Sequence, residues 1–216
     1  MGVRVPNSEH TSRPWRIHEV TRDFRVEDVW TVPATGGLAA FPRVVDVVTS
    51  YDPARSSSFA VRTLFALRWT LGGFLGLDRP ETGVGSRVPT LRDRLPADLR
   101  AAPRPAFAAL PFTSLYLLDN EFAAEVANET MHGVLHLGAV PDGAGAYRVQ
   151  AAVLVKPNGL LGEAYMALIK PFRYLFVYPP MLRELTRSWD ATVSPPASPR
   201  PLPTASDREG ASSGTS

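Results

Sequence analysis

Two sets of residues have the type and spacing that chemistry uses. His132 and His136 stand four apart, and so do Glu121, Glu125 and Glu129. On a helix, histidines at that spacing share a face and can take a zinc ion. Here they fall in a strand-like run, where four residues span roughly 13 Å at about 3.3 Å each. Zinc–nitrogen bonds are about 2 Å long, so ligands that far apart cannot share one ion. No metal is expected, and both histidines should point outward or hydrogen-bond a neighbouring loop. The glutamates raise the question of a carboxylate pair. Retaining glycosidases hold their carboxyls about 5 Å apart and inverting ones farther. Neighbours four apart along a strand are too distant for the first and near the limit of the second. A solvated strand face is the expectation, and no catalytic residue is assigned.

Other chemistries are excluded more directly. The chain has no cysteine, which removes disulfides, thiolate nucleophiles and cysteine metal sites. No Gly-x-Ser-x-Gly elbow is present. Gly83-Val84-Gly85-Ser86-Arg87, Gly72-Gly73 and Gly159-Leu160-Leu161-Gly162 are not nucleotide fingerprints, so no cofactor is expected. Gly162 instead suits close packing of a helix on a sheet. Net charge is +2, and the densest basic cluster, Arg87, Arg92, Arg94, Arg100 and Arg104, is diluted by Asp93 and Asp98. That is not the basic stripe of a nucleic-acid binder. The start of the chain is polar and lacks the apolar core of a secretory signal. The apolar windows 59–77 and 160–182 carry charges or prolines unsuited to a bilayer centre. A cytoplasmic protein is expected, free or at a membrane surface.

The elements that must position these residues follow from pattern. The 216 residues, 44% hydrophobic, are enough for one domain with a core. Residues 1–14 read as a flexible arm, 15–190 as the domain, and 191–216 as a disordered tail too rich in Pro and Ser to offset its ordering entropy. Ile17 to Val20 and Val26 to Val32 read as strands. Phe41 to Tyr51 reads as a helix with Pro42 in its first turn. Ser56 to Ser58 supply N-cap candidates for a second helix, 59–75, whose apolar residues suggest burial between layers. Residues 78–111 read as loop with one short helix near Pro96 to Arg100. Thr113 to Leu118, Phe122 to Asn128, Thr130 to Val140 and Tyr147 to Lys156 read as four consecutive strands. The glycines at 143 and 145 mark a hairpin between the last two.

After a turn at Pro157-Asn158-Gly159, a long helix is expected. Tyr165, Ile169, Phe172 and Phe176 form an aromatic stripe along it, and Pro171 should kink it. The stripe reads both as core and as the floor of a cavity under the sheet, because ligand pockets are mostly apolar with few polar groups. The Tyr165 hydroxyl and the Gln150 amide are candidates for those polar groups.

The runs Arg25-Val26-Glu27-Asp28-Val29-Trp30, Met131 to Gly138, Tyr147 to Gln150, Val155 to Gly162, Tyr165-Met166 and Lys170 to Arg173 carry a resemblance. Together they resemble a bacterial family of domains of unknown function, over about Ile17 to Asp190. Related domains occur fused to NAD(P)-binding reductase-like domains and are similar to the START-like helix-grip fold. The resemblance thus implies an α+β fold with a curved antiparallel sheet wrapped around a long C-terminal helix. Two more helices would lie in the N-terminal half. It implies no nucleotide site here, because the reductase's Gly-rich fingerprint is missing.

The function expected on these grounds is non-covalent binding of an apolar, lipid-like or polyketide-like molecule. The cavity would be lined by Met131, Leu135, Gln150, Val153, Tyr165, Ile169 and Phe172, with strand parity open to a one-residue error. The alternative is a cyclase- or dehydratase-type enzyme, which needs His132, His136 or Glu125 to face that cavity. A third reading is an accessory protein that meets a membrane surface or a reductase-like partner through residues 59–77 and 174–182.

Overall fold

The computed structural model describes residues 2–34, 37–56, 62, 84–86, 88–143, 146–160, 162, 163, 166, 167, 183 and 187. The expected helix over 59–75, the kink near Pro171 and the tail 191–216 lie almost wholly outside them. Among the described residues, no helix is long and apolar enough to cross a membrane.

The described residues form an α+β fold on a six-stranded, open antiparallel sheet. Its strands are β1 (Val3–Val5), β2 (Arg25–Ala34), β3 (Thr113–Leu117), β4 (Glu121–Ala127), β5 (Met131–Pro141) and β6 (Tyr147–Pro157), in the order β1-β2-β6-β5-β4-β3. The four strands expected from residue 113 onward are all present. The longest pairing joins β5 to β6 without a register shift, from Met131 opposite Pro157 to Pro141 opposite Tyr147. The hairpin closes where the glycines predict, with Gly143 at φ 96° and the Asp142 N–H donating to Ala146. β4 is a strand although alanine and glutamate favour helix. Pairing on both sides, with β3 and with β5, overrides that propensity.

Strand alternation divides the sheet into two faces. The first carries Ala123, Val134, Val140, Ala152 and Leu154 into a core shared with Trp15, Ile17, Val20, Leu91, Leu95, Leu99 and Leu115. The second carries Phe122, Ala124, Leu137, Ala139 and Val149 against Phe41 and Val45. These last two belong to α3 (Phe41–Ser50), the helix expected there, with Pro42 in its first turn. Its buried residues Phe41, Val45 and Thr49 recur every four positions, one stripe of a helix. The short helix expected near residue 96 is Ala97–Arg100.

The first face is covered by the start of the chain. Residues 3–5 of the expected arm pair with β2, and α1 (Ser8–Thr11) buries His10 completely. Ile17 to Val20, expected as a strand, is instead a helical turn, α2 (Ile17–Val20). Its cause lies 104 residues away: the Glu121 carboxylate accepts the N–H groups of Arg16 and Ile17, at 2.9 Å each. A free helical N-terminus is thereby satisfied by a buried anion.

Two glycines permit close approach. A Cβ on Gly138 would sit 2.6 Å from two ring carbons of Trp15, so the indole lies on the bare backbone of β5. A Cβ on Gly162 would sit 2.1 Å from the Thr130 carbonyl oxygen. Among the helical residues after β6, Gly162 is therefore pressed onto the β4–β5 turn, the close packing expected of it.

Gly138→Ala should lower stability by about 1–3 kcal/mol, the range for overpacking. Gly162→Ala should cost at least as much, because its obstacle is backbone. Gly37→Ala meets nothing within 4 Å, but φ 70° with ψ −173° is a region open essentially to glycine alone, so it should cost about 1–3 kcal/mol through backbone strain. Urea midpoints test these costs. A Gly138→Ala protein as stable as wild type would mean that Trp15 does not rest there.

Candidate functional site

The glutamates and histidines singled out above answer each other across the β4–β5 pair. Register places Glu121 opposite Gly138 and Glu125 opposite Val134, so each carboxylate lies diagonally across from a histidine, His136 and His132. All four side chains point to the first face and are buried. The solvated strand face expected for the glutamates is therefore wrong for Glu121 and Glu125, which are 2% and 0% exposed. The outward orientation considered for the histidines is wrong too. The covering segments 7–24 and 88–102 supply the reason, since each brings backbone N–H groups that need an acceptor.

Glu125 and His132 form the simpler dyad. His132 Nε2 is 2.9 Å from Glu125 Oε2. The same carboxylate accepts the Leu91 N–H at 3.0 Å and the Thr90 hydroxyl at 2.5 Å. Phe24 packs edge-on against the His132 ring at 5.1 Å. Burial alone would raise the Glu125 carboxyl, but His132, the Leu91 N–H and the Thr90 hydroxyl outweigh it and hold it below its ordinary value.

Glu121 anchors a longer chain. It accepts the Tyr116 hydroxyl at 2.6 Å as well as the two N–H groups of α2, and His136 Nε2 lies 3.1 Å away. His136 Nδ1 is 3.0 Å from His10 Nε2. A proton on His136 Nε2, facing the carboxylate, leaves Nδ1 to accept from His10 Nε2–H; these tautomers are assigned from the contacts. The His18 ring meets that of His10 edge-on at 4.9 Å. All four histidines of the chain thus lie on one side of the sheet. Burial would raise Glu121, but His136, Tyr116 and the Arg16 N–H bring it down to about 2. Burial, with His136 and His18 nearby, pushes His10 down to about 3. Burial likewise lowers His136. The carboxylate is ionised and the imidazoles are neutral at pH 7.

This layer can hold protons in place, but it is sealed. His10 and His136 have no exposed surface. Among the described residues, no group of three or more His, Asp or Glu side chains is arranged to hold a metal ion. Its direct role is mechanical: two buried carboxylates fasten two covering segments to the sheet.

The expected cavity residues separate. Met131, Leu135 and Val153 share the second face, with Leu135 directly opposite Val153, and all three are half-buried. Gln150 lies on the first face, opposite Gly138, fully buried beneath the segment that carries Trp15. The one-residue alternation of the strand puts it there. Tyr165, Ile169 and Phe172 fall outside the described residues.

An open groove of about 760 Å³ lies elsewhere, where the β1–β2 corner meets the helical residues after β6. Residues 4–7 and 25–27 form one wall, and Glu163, Met166 and Ala167 the other. Asn7 closes one end by donating its side-chain N–H to the Val26 carbonyl at 2.6 Å. Arg25 crosses the groove: its Nη1 donates to both oxygens of Glu163, at 2.8 and 3.0 Å, while Nε is turned to Glu27. Sequence reasoning missed His10, Trp15, Tyr116 and Arg25. Equal spacing of Glu and His in adjacent predicted strands was the one available signal, and it points to the dyads alone.

The dyads make the fold acid-sensitive. Glu121, held low, contributes stability that is complete above its ordinary value of 4.5 and is lost as pH falls towards about 2. His10, also held low, binds its proton first in the unfolded chain, so stability falls as pH drops from 6.5 towards about 3. Each such histidine adds at most about 1.4 kcal/mol per pH unit. In urea titrations between pH 7 and 4, His10→Gln should flatten the decline relative to wild type; parallel curves would contradict a buried neutral His10. At pH 7, Glu121→Ala should cost about 2–5 kcal/mol, because two buried N–H groups and the Tyr116 hydroxyl lose their acceptor.

Residues 20–180 match the family described as proteins of unknown function, DUF2867. No curated protein and no solved structure matches the chain. The matched span holds both carboxylate–histidine dyads, Gln150, Arg25 and Glu163, and leaves β1, α1, Trp15 and most of α2 before it. A match over well more than half of the sequence shows the family: this chain belongs to DUF2867.

Proposed function

We propose that the protein binds a small, largely apolar molecule without covalent chemistry, between its sheet and the helical segment after β6. The carrying observation is the open groove of about 760 Å³, a volume within the roughly 300–1,000 Å³ typical of ligand sites. Val5, Pro6, Val26, Met166 and Ala167 supply its apolar lining, while Arg4, Asn7, Arg25, Glu27 and Glu163 make the rest of it polar. Such a site between sheet and helix suits a START-like helix-grip domain and a lipid-like or polyketide-like ligand. The groove, more than the likeness of fold, carries this reading.

The enzyme alternative has less support. Glu125, His132 and His136 point into the sealed layer on the first face, so no acid–base pair among them faces the groove. A cyclase- or dehydratase-type reaction would need one that does. Association with a membrane surface or a reductase-like protein is compatible with this reading but is not required by it.

Native mass spectrometry of protein purified from a native-like host should show one small adduct per chain, which extraction would identify. A clean mass that persists after incubation with a mixed lipid library would sink the binding reading. Ala167→Trp, at an exposed groove position, should weaken uptake about tenfold or more by filling the space, with the melting temperature nearly unchanged.

A further inference from the structure

The Arg25–Glu163 pair is oddly built for a structural clamp. Its members are 46% and 50% exposed, and exposed ion pairs contribute little to stability. Yet the guanidinium is carefully aimed. Glu27, only 7% exposed, holds Nε from the β2 side and fixes the plane of the group. That leaves the terminal nitrogens for an acceptor on the groove side, where Glu163 presents both carboxylate oxygens to Nη1. Both oxygens meet one nitrogen, so the pair falls short of the two-nitrogen fork with which arginine grips a carboxylate or phosphate most firmly. Glu163 stands in the first turns of the helical segment and needs only a side-chain rotation to leave.

We propose that Arg25 anchors the anionic head of the groove's ligand, and that Glu163 holds the head's place until the ligand displaces it. The ligand class is therefore an anionic amphiphile, with its chain along Val5, Pro6, Val26 and Met166. Displacement costs little because the existing pair is half in water. The new pair is stronger because the bound chain excludes that water. The inference rests on the binding reading above and adds a polarity, a head-group charge and a competing residue to it.

The test uses the full chain and two fluorescent probes, cis-parinaric acid and its methyl ester, with dodecanoate and dodecyl phosphate as competitors. The readout is the ratio of acid to ester affinity. In the wild type it should be about tenfold or more in favour of the acid, the scale of one charge-assisted hydrogen-bonded pair. Arg25→Gln should bring the ratio to about one, and Glu163→Gln should raise it above wild type by removing the competitor. A residue that only supported the fold would change both affinities together and leave the ratio alone. Stronger displacement by dodecanoate or by dodecyl phosphate decides which anion the site prefers. Equal binding of acid and ester in the wild type, or an acid preference that survives Arg25→Gln, overturns the proposal while leaving the groove a binding site. Failure of both probes and both competitors to bind overturns the binding reading and the proposal with it.

Discussion

The Glu121 carboxylate holds the structure's two halves in register. It sits at the start of β4, almost without exposure, and gathers three donors, the two N–H groups at the start of α2 and the Tyr116 hydroxyl of β3, with the His136 imidazole of β5 3.1 Å away. An ionised carboxylate is costly to bury, and donors on this scale are what make it tolerable. Glu125 repeats the device four residues later with His132, Thr90 and Leu91. Each carboxylate satisfies a segment arriving from far away in sequence, so the two together fasten the cover of the first face.

The dyads also restrain strand pairing. Slipping β4 against β5 by one residue would turn each carboxylate away from its histidine and set it against the apolar residues of the second face. An apolar strand pair tolerates such errors better than one with a buried charge. The first face is thereby locked by polar contacts in addition to its apolar core, whereas the second is held by side-chain packing around Phe41, Val45, Phe122 and Leu137. The division bears on function. A sealed, charge-fastened layer is poorly suited to admitting a ligand, and the open groove lies at the corner beyond it, beside the helical residues that follow β6.

Much of the fold was legible in the sequence because its signals are local. The β5–β6 hairpin follows from two alternating runs around a glycine-rich loop. α3 follows from apolar spacing and a proline in the first turn. The turn at Pro157-Asn158-Gly159 follows from residue chemistry, with Gly159 at φ 67° as glycine permits. Ile17 to Val20 failed because its apolar β-branched ends suit a strand, and the acceptor that makes it helical is 104 residues away. Gln150 lies on the opposite face from Met131, Leu135 and Val153 for a smaller reason: a strand's pattern does not say which of two buried faces is which when both are apolar. The groove was not legible at all, since its walls come from the two ends of the domain.

By itself, the sequence determined the number of the later strands and their bounds to within one residue, the helix after Gly37, the turns, and the absence of thiol chemistry. These depend on backbone preference and on spacing within a few residues of one another. Only the tertiary structure decided that two glutamates and two histidines form dyads, that residues 7–24 are a cover, and that Arg25 meets Glu163 across a groove. Those outcomes depend on which strands become neighbours. Cross-strand contacts are set by register and burial, quantities that belong to the whole chain.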